Sequence, residues 1–325
     1  MSKRATIAVV ALAVLGAGIA ALVLLNRARP SRTVKVGYLP IVAHLPLFVA
    51  LEQGYFEREG VAVQPIKLGF KDFTTALVTG DVDVLAPNGF PAIFALEVQQ
   101  GGRFKIFCPG CEISKKDGTV SAILVPKDSE LSTLSQLKGK RIGAISPTQV
   151  LLVRLVVRSV GLQPDDVTII QLDRSVASQA LASKRIDALF ALDPMATTLL
   201  TKGVARLVEG NLRAKYVFDP YWAGAAMTTA DFVRSRPDAA SRTMRAFDAA
   251  VEYIRANETK AKRLLLKHVP LDEEAAAEVD VYYFYKSTEK VDLAKMQELA
   301  DLLSQYEIVK GKVDVKEMYL STAPP

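Results

Sequence analysis

The sequence predicts an α/β protein built as two similar lobes that face each other across a crevice. Three observations carry this reading. The 325 residues, half of them apolar, are enough for two medium lobes, each with its own core. Short β-branched runs alternate with amphipathic segments over most of the chain, the pattern of parallel α/β sheets. A weak repeat recurs at a constant spacing of 104 residues, Ala76-Leu77-Val78-Thr79-Gly80-Asp81-Val82-Asp83-Val84-Leu85 against Ala180-Leu181-Ala182-Ser183-Lys184-Arg185-Ile186-Asp187-Ala188-Leu189.

The elements follow in order. Ala5 to Leu25 is an uncharged run of 21 residues, interrupted only by Thr6, Gly16 and Gly18. A helix of that length spans ~30 Å, the hydrocarbon thickness of a bilayer. Lys3 and Arg4 precede it as a positive flank. Leu22-Val23-Leu24-Leu25 carries the run past a usual signal core, which favours a retained anchor; a signal peptide cleaved after Gly18-Ile19-Ala20 is the alternative. No Cys lies near the run to accept a lipid. Residues 26–32, with charges and Pro30, read as a linker.

Residues 33–38 then read as a strand, and Pro46 to Gln53 as a helix with Pro near its start and Gly54 at its stop. Asp72 is placed to cap a helix ending at Gly80, Val82 to Ala86 is a strand, and Phe90 to Gln100 is a helix stopped by Gly101-Gly102. The rhythm continues with strands at 119–125, 141–145, 167–171 and 186–190 and helices at 148–160 and 175–183. From Thr229 onward the pattern is mainly helical. Upstream of the repeat, Val36-Gly37 and Ile142-Gly143 stand at a similar offset. The expected division is therefore 1–32 for the leader and linker, 33–118 with 224–325 for the first lobe, and 119–223 for the second. The chain should cross between lobes near 109–119 and 222–226.

Composition excludes several classes of function. The formal charge of +6 is concentrated at the start, where Lys3, Arg4, Arg27, Arg29 and Arg32 face no acid. The remainder holds 36 basic against 35 acidic residues, so a basic footprint for nucleic acid is not supported. His44 and His268 are the only histidines, which leaves no histidine-rich metal site. Cys108-Pro109-Gly110-Cys111 is the only cysteine pair; it reads as a Pro-Gly turn that a local disulfide could close. Phosphate-binding loops, calcium loops and a nucleophile elbow are missing, so no catalytic residue, cofactor or metal is assigned.

At the loops beyond the strand ends the sequence resembles a known family. Val36-Gly37-Tyr38-Leu39-Pro40, Pro46-Leu47-Phe48-Val49-Ala50 and Glu52-Gln53-Gly54-Tyr55-Phe56-Glu57-Arg58-Glu59-Gly60-Val61 are similar to the opening of the nitrate, sulfonate, taurine and thiamine-pyrimidine-precursor binding proteins. Ala76 to Val84, Leu134 to Gly143, Gly161 to Val167 and Ile186-Asp187-Ala188 extend the likeness across residues 33 to about 305. The resemblance implies a type II periplasmic-binding-protein fold holding a small molecule, no enzymatic activity, a monomer outside the cytoplasm, and ABC permease and ATPase subunits as partners; the anchor read from residues 5–25 stands where the family usually has a cleavable or lipidated leader, and is a departure. It departs at Leu192-Asp193-Pro194, where the family often has Trp-Glu-Pro, and at the Cys pair. An enzyme of the thiamine-pyrimidine-synthase type on the same fold is the main alternative, although its cysteine-rich cluster is lacking; an anchored sensory domain is a third reading.

In open α/β sheets ligands sit outside the carboxyl ends of the strands. The loops there offer Pro40, His44, Phe70, Phe73, Asn88 and Phe90 from the first lobe. They offer Ser146, Thr148 and Asp193 from the second, with Trp222 at the return crossing. His44 would donate to the ligand, the aromatics would stack on it, Asn88 would orient it, and Ser146 and Thr148 would open a helix as an anion cradle. Asp193 would meet a cationic or hydroxylated group, and Trp222 would form a wall. Few positive groups are placed in these loops, which favours a planar organic acid or heterocycle over nitrate or sulfate.

Overall fold

The computed structural model describes residues 33–114 and 118–320. The expected anchor or signal segment at 5–25 lies outside the described residues; among those described, no helix is long and apolar enough to cross a membrane.

Two mixed sheets form the frame. The first holds β1 (Val34–Tyr38), β2 (Val63–Lys67), β3 (Val84–Gly89), β4 (Phe104–Ile113), β10 (Tyr221–Thr229) and β11 (Tyr283–Tyr285), in the order β11-β4-β10-β3-β1-β2. The second holds β5 (Ser121–Pro126), β6 (Arg141–Ala144), β7 (Thr168–Gln171), β8 (Ala188–Leu192) and β9 (Ala205–Glu209), in the order β7-β6-β8-β5-β9. The strands of the parallel core, such as β3 and β8, are buried on both faces, as sheets sandwiched between helices require.

The internal repeat is a structural one. β2-β1-β3 and β7-β6-β8 are two parallel triplets, and Val36 opposite Val84 matches Ile142 opposite Ala188. The shared aspartate has the same task in each. Asp83 accepts from the Lys35 backbone N–H at 2.8 Å and Asp187 from that of Arg141 at 2.8 Å. Each thus braces the start of a central strand from the turn before its neighbour.

In the first lobe, helices Leu45–Glu52, Pro237–Ala256 and Glu258–His268 bury one face of the sheet, with Phe48, Phe247 and Leu265 in the core. Helices Phe73–Val78, Phe90–Gln100 and Leu293–Gln305 cover the other face. In the second lobe, helices Arg174–Ala182 and Met195–Thr201 pack around Leu181, Leu189 and Leu199.

Cys108 and Cys111 depart from expectation. Their segment does not turn; it lies within β4, held between β10 and β11. Cys108 and Pro109 fall in a bulge, where the partners of β10 pass from Gly110 to Phe107. An unpaired bulge position tolerates proline, which has no N–H to give the ladder. Residues three apart in extended chain are roughly 10 Å apart, past the ~7 Å that a disulfide can span. Both thiols are free. Cys108 Sγ donates to the Tyr285 carbonyl at 2.8 Å, and burial pushes the pKa of both thiols up, Cys111 to about 12.

The chain leaves the first sheet at Ile113 and joins the second at Ser121, and it crosses back at 210–220, since Tyr221 already pairs with Ile113 in the first sheet. The two crossings touch: a Cβ at Gly210 would overlap the Gly118 carbonyl oxygen, so only glycine admits this approach.

Candidate functional site

A cavity of about 220 Å³ lies between the two sheets at the carboxyl ends of their strands. The first lobe supplies Leu39, Phe70, Phe73, Asn88 and Cys111. Arg174, Leu192, Asp193 and Arg213 come from the second lobe and its return crossing, and Tyr282 closes the wall.

The first-lobe wall is set by His44, which joins two strand-end loops. The Leu39 N–H donates to Nδ1 at 2.9 Å, so the neutral ring carries its proton on Nε2 and donates to the Pro87 carbonyl at 2.9 Å. Burial lowers its pKa from 6.5 to about 4, which keeps the ring uncharged. Phe73 stacks on this ring, 5.5 Å between centroids. His44 is fully buried and both its nitrogens are spent inside the protein, so it shapes the crevice rather than donating to a ligand. Asn88, beside Pro87, accepts from the Gly89 N–H at 3.0 Å and keeps its amide at the cavity, with only a sulfur contact to Met227 at 3.9 Å.

The second-lobe wall is positively charged. Arg213, on the short helix Leu212–Tyr216, is 7 % exposed; its Nε and Nη2 are buried without a hydrogen-bond partner among the described residues, and its guanidinium lies 5.0 Å from the Tyr221 ring centre. Burial pushes the Tyr282 hydroxyl up to about 12, so it remains a neutral donor beside this group. Arg174 opens the helix Arg174–Ala182 and lies over the Phe70 ring at 4.5 Å; burial lowers its pKa. Among the described residues no carboxylate pairs with either guanidinium. Asp193 lines the same cavity, but Thr119 Oγ1 donates to its Oδ2 at 2.9 Å, while the Thr197 N–H and hydroxyl donate to Oδ1 at 3.0 and 2.8 Å. Its carboxylate is thus committed to the hinge and the start of the helix Met195–Thr201, not to a cationic ligand.

Phe70, Phe73, Asn88 and Asp193 are therefore brought together at the crevice, and other candidates are not. Phe90 is fully buried against Phe94 in the core. Trp222 is buried on β10 and packs on Tyr285 at 5.0 Å, because β10 has rejoined the first sheet by that point. Ser146 caps its helix by accepting from the Gln149 N–H at 3.2 Å, and neither it nor the half-buried Thr148 and Pro40 lines the cavity. The expectation of few positive groups is corrected by Arg174 and Arg213, single arginines in short helices that carry no motif. A wider groove of about 590 Å³ crosses the outside of the second lobe, where Lys184 pairs with Asp128 at 2.5 Å.

A family model described as NMT1/THI5 like matches residues 41–261. The chain belongs to that family. It is 25% identical over 292 residues to a Bacillus subtilis protein assigned to aliphatic sulfonate binding, covering 85% of this chain and 83% of that one. It is 22% identical over 240 residues to a 4-amino-5-hydroxymethyl-2-methylpyrimidine phosphate synthase of Saccharomyces cerevisiae, covering 70% and 68%. Among solved structures, the alkanesulfonate-binding protein SsuA from Xanthomonas axonopodis pv. citri bound to MOPS aligns with a TM-score of 0.70 at 19% identity, over 90% of this chain and 99% of that one. The fold is that of the periplasmic binding proteins.

Proposed function

We propose that this protein is an extracytoplasmic solute-binding protein that captures a small organic anion in the inter-lobe crevice and presents it to the permease and ATPase of an ABC importer. One observation carries the reading. Arg213 is a buried charge with two unanswered N–H groups at the wall of the cavity. Leaving a buried donor unmade costs about 1–3 kcal/mol, and more for a charged group. A sulfonate or carboxylate seated there would meet both donors in the paired geometry that guanidinium favours. Arg174 adds a second positive group, and Leu39, Leu192 and Phe73 supply apolar wall for an organic tail.

The relatives support the same direction, since several are sulfonate-binding proteins. Binding is favoured over the enzymatic reading by the crevice chemistry. His44 is spent structurally, and the Cys111 thiol, pushed up to about 12, is a poor nucleophile. A thermal-shift screen across sulfonates, aromatic carboxylates, pyrimidines, nitrate and organic cations tests the proposal. A ligand that binds only the folded state raises the melting temperature by mass action. Organic anions should stabilise and cations should not; stabilisation by cations alone would refute it.

A further inference from the structure

We propose that Phe70 and Arg174 form a cross-lobe clasp that sets how long a ligand the crevice retains. This rests on the reading of the crevice as an organic-anion site, but the clasp is a contact of the protein itself. Phe70 belongs to the loop between β2 and the helix Phe73–Val78, in the first lobe; Arg174 begins a helix of the second lobe. They meet across the crevice with the guanidinium 4.5 Å from the ring centre. Phe70 is 51% exposed and is not part of any core, so packing does not account for its place. Arg174 has no acidic partner among the described residues, so the ring face is its principal contact.

Both residues also line the cavity, so the contact is a stretch of its wall that bridges the two lobes. The cavity holds about 220 Å³, the space of about seven waters. An acid seated at Arg213 with a short tail fits beside the intact contact. A longer tail must part the ring from the guanidinium and hold the lobes open. Such a contact is worth about 0.5–1 kcal/mol at an exposed site, or about two- to fivefold in the balance between closed and open forms. Phe70 and Arg174 thus act as specificity-determining residues, and the ligand class is a compact organic acid.

Two measurements on the full chain test this, in wild type, Phe70→Ala and Arg174→Gln. Spin labels at Glu57→Cys and Lys138→Cys, exposed positions on opposite lobes, report lobe separation without ligand. Both clasp variants should enlarge the long-distance population about two- to fivefold. Calorimetry with linear alkanesulfonates from two to eight carbons reads length selection. Wild type should lose affinity as the tail outgrows the cavity, and both variants should flatten that dependence. Unchanged distances in both variants, or an unchanged length dependence, would overturn the clasp. If no acid binds wild type, the anion-site reading fails, while the spin-label distances still decide whether the clasp holds the lobes together.

Discussion

Arg213 and His44 show how differently two buried polar side chains serve one crevice. His44 has a partner for each nitrogen and is held neutral; Arg213 has neither Nε nor Nη2 answered. The first is architecture, the second an incomplete interaction. The state of His44 has a measurable consequence. Its folded pKa of about 4 lies below the ordinary 6.5, so between those values the unfolded chain binds more protons. Stability from this group is complete above pH 6.5 and is lost as pH falls toward 4. Denaturant unfolding at pH 7 and pH 5 should show a loss of about 2 kcal/mol in wild type that His44→Gln lacks. An equal loss in both proteins would show that His44 does not carry it. At this scale the sequence was a partial guide. The place of Phe70, Phe73, Asn88 and Asp193 at the cavity wall, though not a role toward a ligand, is legible because strand-end loops of an α/β sheet point at a crevice. That of Arg174 and Arg213 is not, since a lone arginine in a helical stretch reads as an ordinary solvated charge.

The elements explain why the repeat persists in the sequence at all. Asp83 and Asp187 each fix the start of a central parallel strand, and Asp187 additionally accepts from Arg141 Nε and Nη2 at 3.0 and 2.8 Å. These contacts hold the carboxyl of Asp187 below the usual range. Asp187→Ala should lower stability by about 0.5–1.5 kcal/mol in urea unfolding, because the Arg141 N–H and guanidinium exchange their partner for water. A change within 0.5 kcal/mol would mean that the strand needs no such brace. The cysteine pair is the converse case. Pro-Gly ordinarily marks a turn. In β4 the long pairing with β10 on one edge and the pairing of Gly110 to Glu112 with β11 on the other override it, and the bulge absorbs the proline. Local chemistry alone carries no sign of that tertiary override.

At the scale of the molecule, two three-layer lobes meet at a narrow waist. Asp280, close to β11, accepts from the Thr119 N–H, and the Thr119 hydroxyl reaches Asp193 across the waist. With Gly118 and Gly210 in contact there, the crossings form a compact pivot that suits hinge closure about a bound solute. The two-lobed plan was legible because the repeat and the strand–helix alternation are long-range patterns. The return crossing was placed too late, at 222–226, because nothing local distinguishes the extended segment that begins at Tyr221 from a linker. Capture of an organic anion in this crevice requires that Arg213 complete its bonding with the acid group of the solute. Calorimetric titration of wild type and Arg213→Gln with the most stabilising organic anion tests it most directly. Wild type should bind, and the variant should lose about 2–5 kcal/mol, or more than about thirtyfold, as truncating one partner of a buried charge pair does. Binding by Arg213→Gln within a factor of about two of wild type would contradict the account.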